Sequence, residues 1–229
     1  MGLVKYSTLV EAISGKVGTA VFAKNRGGAY VRSLVIPFNP QSAAQQEARS
    51  LVTQFSQQWP TLTQAQILAW NNAAPSFAGT NVFGETVEPS GINLFVGVNC
   101  NIIIGAGTAI TAPPVSAGTQ SGLTTACAMS ISGASLTVTN SDSSVNAGSA
   151  FVVEATAPLS PGISNAGSLF RRITVFENPD TTSENSYVNY TQKYGTPTAG
   201  KKVFVRTYWI NQATGEKSGY SEAFTIIAA

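Results

Sequence analysis

Histidine is absent from this 229-residue chain. Its absence excludes Ser-His-Asp and Cys-His nucleophilic machinery, histidine metal sites and the usual proton shuttle at neutral pH. Charge is scarce as well. Asp, Glu, Lys and Arg together make up 10 % of the chain, against about 25 % in an average soluble domain. No Lys or Arg falls between Arg49 and Arg171, so that stretch has no clustered positive charge to displace counterions from a nucleic acid. No nucleic-acid partner is expected. Cysteine occurs twice, at Cys100 and Cys127, too few for a disulfide-stapled scaffold. Two buried free thiols are the expectation, with a bridge between the two halves as the alternative. The longest aliphatic run, Ile102-Ile103-Ile104, ends at Gly105 and falls far short of the ~20 apolar residues of a membrane span. The opening Met1-Gly2-Leu3-Val4-Lys5-Tyr6 has neither a long apolar segment nor a cleavage site, so no signal peptide is expected. The opening Met-Gly is by itself only weak evidence for myristoylation.

What the chain does contain is apolar and neutral-polar. Hydrophobic residues reach 43 %, and Ser, Thr, Asn and Gln supply 74 positions. The core has ample material, and the surface must be built from neutral groups. That profile suits an extracellular or virion protein rich in β-structure and assembled contacts.

Organisation changes near Pro113-Pro114, a pair that cannot continue a helix and favours an extended connector. The expected fold class is α+β: an N-terminal β-hairpin plus a helical hairpin and third helix, followed by an all-β immunoglobulin-like sandwich. The domains are drawn at 1–115, for assembly and anchoring, and 116–229, for the sandwich. The hairpin is expected over 17–24 and 29–36, turning at Asn25-Arg26-Gly27-Gly28. Helix one is expected to start with Asn39 as N-cap and Pro40 at its first position and to stop at Pro60. Thr63 and Gln66 have the spacing of a capping box, and Leu62 and Ile67 that of a hydrophobic staple. A third helix, from Ser90 to about Ile104, carries no charge, and substantial burial is expected, by its own domain or by a neighbouring subunit. Trp59 and Trp70 are expected in the core. Beyond the connector, strands are expected at 123–131, 134–139, 150–157, 169–177, 186–193, 202–210 and 221–228, the count and spacing of an immunoglobulin-like or fibronectin-like sandwich.

Chemistry-bearing motifs are weak. Gly27-Gly28 is in a hairpin turn with no helix behind it, and Gly105-Ala106-Gly107 follows a helix instead of opening one, so neither fits a phosphate loop. Glu85 and Glu88 read as solvated loop acids in preference to a glycosidase pair. Asp180 and Glu184 match no EF-hand spacing. No catalytic residue, cofactor site or metal site is expected. Lys16, Lys24, Arg26 and Arg32 form a modest basic group, read as a solvated hairpin face or subunit contact ahead of a phosphate site. Arg171-Arg172 reads as strand-edge protection. Aromatics gather late in the chain, and Tyr187, Tyr190, Tyr194 and Tyr220 are either core or contacts to a host or partner.

The order of motifs in the first half is distinctive. Gly15-Lys16-x-Gly18 precedes a strand, followed by Arg26-Gly27-Gly28-Ala29-Tyr30-Val31-Arg32. Next come Pro37-x-Asn39-Pro40-Gln41, Gln45, Arg49, Trp59, Leu62-Thr63-x-Ala65-Gln66 and Ala69-Trp70. Ser90-Gly91-x-Asn93-x-Phe95 and Asn99 close the series. Over roughly residues 13–115 this resembles a group of largely uncharacterised bacteriophage structural proteins. The resemblance implies a virion location and a non-enzymatic structural role, either capsid decoration or a vertex or head-fibre component. The partners would be other virion proteins, with homo-oligomerisation inside a symmetric particle. Arg26, Tyr30, Arg32 and Phe95 are the candidate assembly contacts. A head–tail connector or tail component is the alternative in the same class. A carbohydrate-binding adhesin using the tyrosine-rich sandwich is the alternative in another.

Overall fold

In the computed structural model, the described residues are 2–3, 13–25, 28–36, 39, 41–80, 86–115, 124–140, 148–177 and 183–228. Internal contacts divide the chain into Met1–Gln46 and Glu47–Ala229, a division that falls in the first turn of a helix. The change at Pro113-Pro114 marks where helices give way to strands, within the second unit.

The first unit is a four-stranded antiparallel sheet in the order β1-β4-β3-β2, formed by β1 (Gly2–Leu3), β2 (Gly15–Val17), β3 (Ala20–Asn25) and β4 (Gly28–Ser33). The expected hairpin is present, with tighter bounds and with β1 and β2 added to its flanks. Asn25 pairs with Gly28, which leaves a two-residue turn, the length that Asn-and-Gly-rich hairpins favour. Gly18 makes the β2–β3 turn at φ 58, a conformation that costs glycine little.

The second unit begins with α1 (Ala43–Gln58), a 3-10 turn at Trp59–Thr61 and α2 (Gln64–Ala73). Helix α1 starts later than the Asn39-Pro40 signal suggests. Asn39 Oδ1 accepts from the Gln41 amide, Gln41 has φ 46, and the Gln46 amide bonds back to the Ser42 carbonyl. An Asx-type turn therefore uses up Asn39 before the helix opens; Pro40 lies outside the described residues. Helix α2 is capped as its sequence dictates. Thr63 Oγ1 accepts from the Gln66 amide while Gln66 Oε1 accepts from the Thr63 amide. After a 3-10 turn at Ala74–Phe77 and a short ladder of β5 (Gly79–Thr80) with β6 (Thr86–Val87), the chain enters α3 (Gly91–Ile104).

Beyond the connector lie β7 (Thr124–Ser130), β8 (Ser135–Asn140), β9 (Ser149–Ala155), β10 (Arg171–Glu177), β11 (Ser183–Asn185), β12 (Lys202–Asn211) and β13 (Ser221–Ile226). They form two sheets, β11-β8-β7 and β10-β9-β12-β13. Three strands packed on four make an immunoglobulin-like sandwich. Met129, Leu136 and Val138 from one sheet meet Phe151, Val153, Val203, Val205 and Trp209 from the other. Phe151 and Trp209 stack at 4.8 Å between centroids.

The expected strand at 186–193 is instead α4 (Tyr187–Tyr194), preceded by the three-residue β11. Aromatic and β-branched content suggested a strand, but Tyr187, Tyr190, Thr191 and Tyr194 recur at helical spacing. Tyr190 is fully buried in the sandwich core, with Tyr187 and Tyr194 packed against it. Periodicity and burial outweigh propensity here.

Helix α3 ties the helices to the sandwich. One flank packs Phe95, Val98 and Ile102 with Phe55, Trp70 and Ala74. At its C-terminal end Ile104 covers Val152, Tyr208 and Ile210 on the outer face of the larger sheet. That cover explains why β9 is buried along nearly its whole length and reads as the continuous apolar run Ala150-Phe151-Val152-Val153. Polar ties accompany the packing. Asn101 Nδ2 donates to the Gly215 carbonyl at 2.9 Å, and Gln212 Nε2 donates to the Gly105 carbonyl at 2.8 Å. Asn99, fully buried, donates to the Phe95 and Ile110 carbonyls and accepts from the Ile110 amide. Trp70 Nε1 donates to the Thr111 carbonyl.

Two predictions follow from this packing. Gly215 has φ 68, and a Cβ there would lie 2.6 Å from the Val98 carbonyl oxygen of α3. Gly215→Ala combines backbone strain with a clash against helix backbone and is expected to lower stability by about 2 kcal/mol or more, read as a shift of the urea midpoint. Burial pushes the Cys127 thiol from 9.0 up to about 12. For Tyr208, burial, then the Glu154 carboxylate and Tyr220, raise the phenol from 10.0 to about 12. Both groups ionise more readily in the unfolded chain. Their contribution is complete below about pH 9 and is lost as pH rises towards 12. The urea midpoint is therefore expected to fall between pH 9 and pH 11.

Candidate interaction surfaces

The N-terminal sheet has two chemically different faces. Directly paired residues share a face, and successive residues alternate. The register places Lys16, Val21 and Arg32 in one row and Ala23 and Tyr30 in the next, all on one face. The other face carries Val17 with Ala20, Phe22 with Val31, and Lys24 with Ala29. Tyr30 and Arg32 are thus brought together as the sequence suggested, with Lys16 beside them. Arg26 lies outside the described residues. None of residues 13–24, 29–36, 39 and 41–46 is buried. Val17 is 67 % exposed, and Leu34-Val35-Ile36, which follows β4, reaches 83 % at Ile36.

Phe95, expected as an assembly contact, is instead the centre of the helical core. It has no exposed surface and meets Phe55, Trp59 and Trp70 at centroid distances of 6.1, 5.6 and 5.3 Å. A large ring suits a core and an interface equally well, and here the flank of α3 that carries it turns towards α1 and α2. Both tryptophans join this cluster, with Trp70 fully buried and Trp59 half-buried.

The four tyrosines separate. Tyr190 is inside, and its hydroxyl donates to the Thr156 carbonyl at 3.1 Å. The Tyr194 hydroxyl donates to the Ala155 carbonyl at 3.0 Å. These two rings, 5.1 Å apart, lock α4 onto the end of β9 and do not form a contact surface. Burial, then the neighbouring Tyr194, raises the Tyr190 phenol, and burial raises that of Tyr194. Tyr187 is half-buried against the same core. Only Tyr220, 59 % exposed, faces outward as a surface ring.

Tyr220 belongs to a cation–aromatic ladder that the sequence alone did not reveal. It runs across the outer face of β12 and β13. The Arg206 guanidinium stands 4.5 Å from the centroids of both Phe170 and Tyr220 and pairs with Glu154 through its Nε at 2.9 Å. Tyr220 meets Tyr208 edge-on at 5.2 Å. Lys202 Nζ lies 4.0 Å from the Phe224 centroid and 4.9 Å from that of Phe204, and it donates to the Ile163 carbonyl. The signal was the alternation Lys202, Phe204, Arg206, Tyr208 along β12, legible only once the outer face is known. Arg172 pairs with Glu47, and Lys193 donates to the Arg172 carbonyl, so a lysine occupies a backbone acceptor on edge strand β10.

A groove of about 330 Å³ lies beside α3, lined by Phe77, Asn93, Leu94, Val98, Asn101 and Lys217. Asn101 is already committed to Gly215. Among the described residues there is no group of three or more His, Cys, Asp or Glu side chains able to hold a metal, and no helix long and apolar enough to cross a membrane. Both cysteines are free. Glu85 and Asp180 lie outside the described residues. Glu88 is exposed.

Removing the Tyr190 hydroxyl leaves the buried Thr156 carbonyl without this donor. Tyr190→Phe is expected to cost about 1–2 kcal/mol, whereas Phe95→Ala, which opens a cavity among three aromatic rings, is expected to cost about 3–5 kcal/mol. Chemical denaturation of the two variants distinguishes them.

No family model matches the chain, and no curated protein matches it. Among solved structures, a Fn3-like protein from Clostridium thermocellum is 12 % identical with a TM-score of 0.32, over 48 % of this chain and 95 % of that one. A β-1,2-glucanase from Parabacteroides distasonis is 9 % identical with a TM-score of 0.34, over 52 % of this chain and 14 % of the glucanase. The chain thus spans only a small part of the second protein. The strand order of the two sheets carries the fold assignment.

Proposed function

We propose that this chain is a non-enzymatic structural component of a bacteriophage virion, acting through contacts with neighbouring subunits as a capsid-decoration, vertex or head-fibre protein. One observation supports the subunit-contact part of this reading. The N-terminal sheet pairs its strands, yet none of residues 13–24 and 29–36 is buried. Exposed apolar side chains on such a sheet are the kind of surface that other subunits cover. Scarce charge allows close packing without the cost of desolvating unpaired ions. The virion part of the reading comes from the motif order across residues 13–115.

The second reading within the same class is a head–tail connector or tail component. The adhesin reading draws on Tyr220 and Phe224, each 59 % exposed. Cations stack on both rings, Arg206 on Tyr220 and Lys202 on Phe224, so less aromatic face is left for a sugar.

Quantitative mass spectrometry of purified phage particles, scaled to the major capsid protein, tests the proposal. Capsid-wide copy numbers are expected for decoration, and small symmetric multiples for a vertex or connector. Absence from particles overturns the virion reading.

A further inference from the structure

We propose that Glu47 and Arg172 form an electrostatic latch that decides where helix α1 begins to be held by the second unit. Closed, the latch holds α1 from Glu47 onwards. Open, the hold begins one turn later, at Leu51. The inference needs neither the virion reading nor the subunit contacts.

Helix α1 is held by two different means along its length. From Ala43 to Ser50 every residue is exposed. The first apolar hold is Leu51, half-buried against the helical core, followed by Phe55, which has no exposed surface. Glu47, Leu51 and Phe55 recur every four residues and so share one stripe of the helix. That stripe opens on a carboxylate where an apolar side chain would extend it. The carboxylate pairs with Arg172 of β10. Internal contacts divide the chain between Gln46 and Glu47, so the pair stands at the first residue of the second unit.

The pair belongs to a row of charges. Arg172 lies opposite Glu154 on β9, and Glu154 lies opposite Arg206 on β12. From α1 inwards the signs alternate through Glu47, Arg172, Glu154 and Arg206. Lys193 donates to the Arg172 carbonyl. Burial, then Arg172 and Arg171, lower the pKa of its ammonium, while Glu47 and Glu154 raise it, so these groups share one field. Strand pairing fixes the sheet end of the latch. The helix end has no such constraint.

The two holds respond differently to salt. The Glu47 side chain is half-exposed, and salt screens a pair that water reaches. The apolar hold at Leu51 and Phe55 carries no charge to screen. Opening the latch therefore shifts the start of the hold by four residues, about 6 Å along the helix.

Hydrogen–deuterium exchange of the full-length chain, followed by mass spectrometry, tests the latch. Exchange is read over residues 43–51, with the α3 amides as the check on folding. Glu47→Gln, Arg172→Gln and the double variant are compared at low salt and at about 1 M NaCl. Each single variant is expected to speed exchange over 43–51 roughly two- to fivefold at low salt, and the double variant no more than either single one. High salt is expected to speed exchange in the wild type and to leave Arg172→Gln unchanged. Arg172→Gln alters a strand, so a change in helix propensity does not account for its effect on α1. Unaltered exchange in Arg172→Gln, or single effects that add in the double variant, overturns the inference. If Arg172→Gln also loosens α3, the wild type decides alone: no faster exchange over 43–51 at high salt overturns the latch.

Discussion

Burial of a charge-free helix is the constraint on which the larger unit depends. From Ser90 to Gly107 the chain has no Asp, Glu, Lys or Arg, so α3 has no charged side to turn to water. The molecule covers it from two directions. The helical hairpin supplies Phe55 and Trp70, and the outer face of the larger sheet supplies Val152, Tyr208 and Ile210. Neither layer is complete without the helix. Asn99 and Asn101 show how such an arrangement stays specific. Each spends its amide on backbone groups, Asn99 on its own connector and Asn101 on the β12–β13 hairpin, and these bonds fix the rotation and height of the helix in a way that apolar contact alone does not.

The outer face of the larger sheet is treated differently along its length. At one end α3 covers it. At the other, Ala166 and Phe170 cover Phe204. Between them Arg206 lies between two rings and pairs with Glu154. The guanidinium is half-covered, planar and weakly hydrated, which suits it to a stacked position where a lysine ammonium would lose more hydration. This middle stretch lets a strand that is nearly all apolar on its inner side remain compatible with water on its outer side.

Much of this was legible in the sequence wherever local chemistry and periodicity agree. The capping box at Thr63 and Gln66, the hairpin register that pairs Asn25 with Gly28 and the alternation of β8 and β12 each have a local cause, and each is found in place. The failures have physical reasons as well. Tyr187–Tyr194 carries strand-favouring residues at helical spacing, and only the space beside β9 decides between the two. Asn39 is a good helix cap that a left-handed Gln41 diverts. Phe95 and the four tyrosines could not be sorted by type, since an aromatic ring suits a core and an interface equally well. Their sorting required knowing which rings α3 and α4 turn inward. The two faces of the N-terminal sheet could be assigned only after the register of β2 on β3 was known, because a slip of one residue would exchange Lys16 with Val17.

The order in which the ribosome releases the chain gives the α3 clamp a temporal side. Helix α3 emerges early, but β12 and Gly215 leave the ribosome more than one hundred residues later. Until then the flank of α3 that meets Ile210 and Gly215 has no cover, and the nascent protein carries an open apolar seam. The β12–β13 hairpin closes it. Synthesis of the C-terminal strands is therefore also the step that renders the N-terminal helices safe from aggregation.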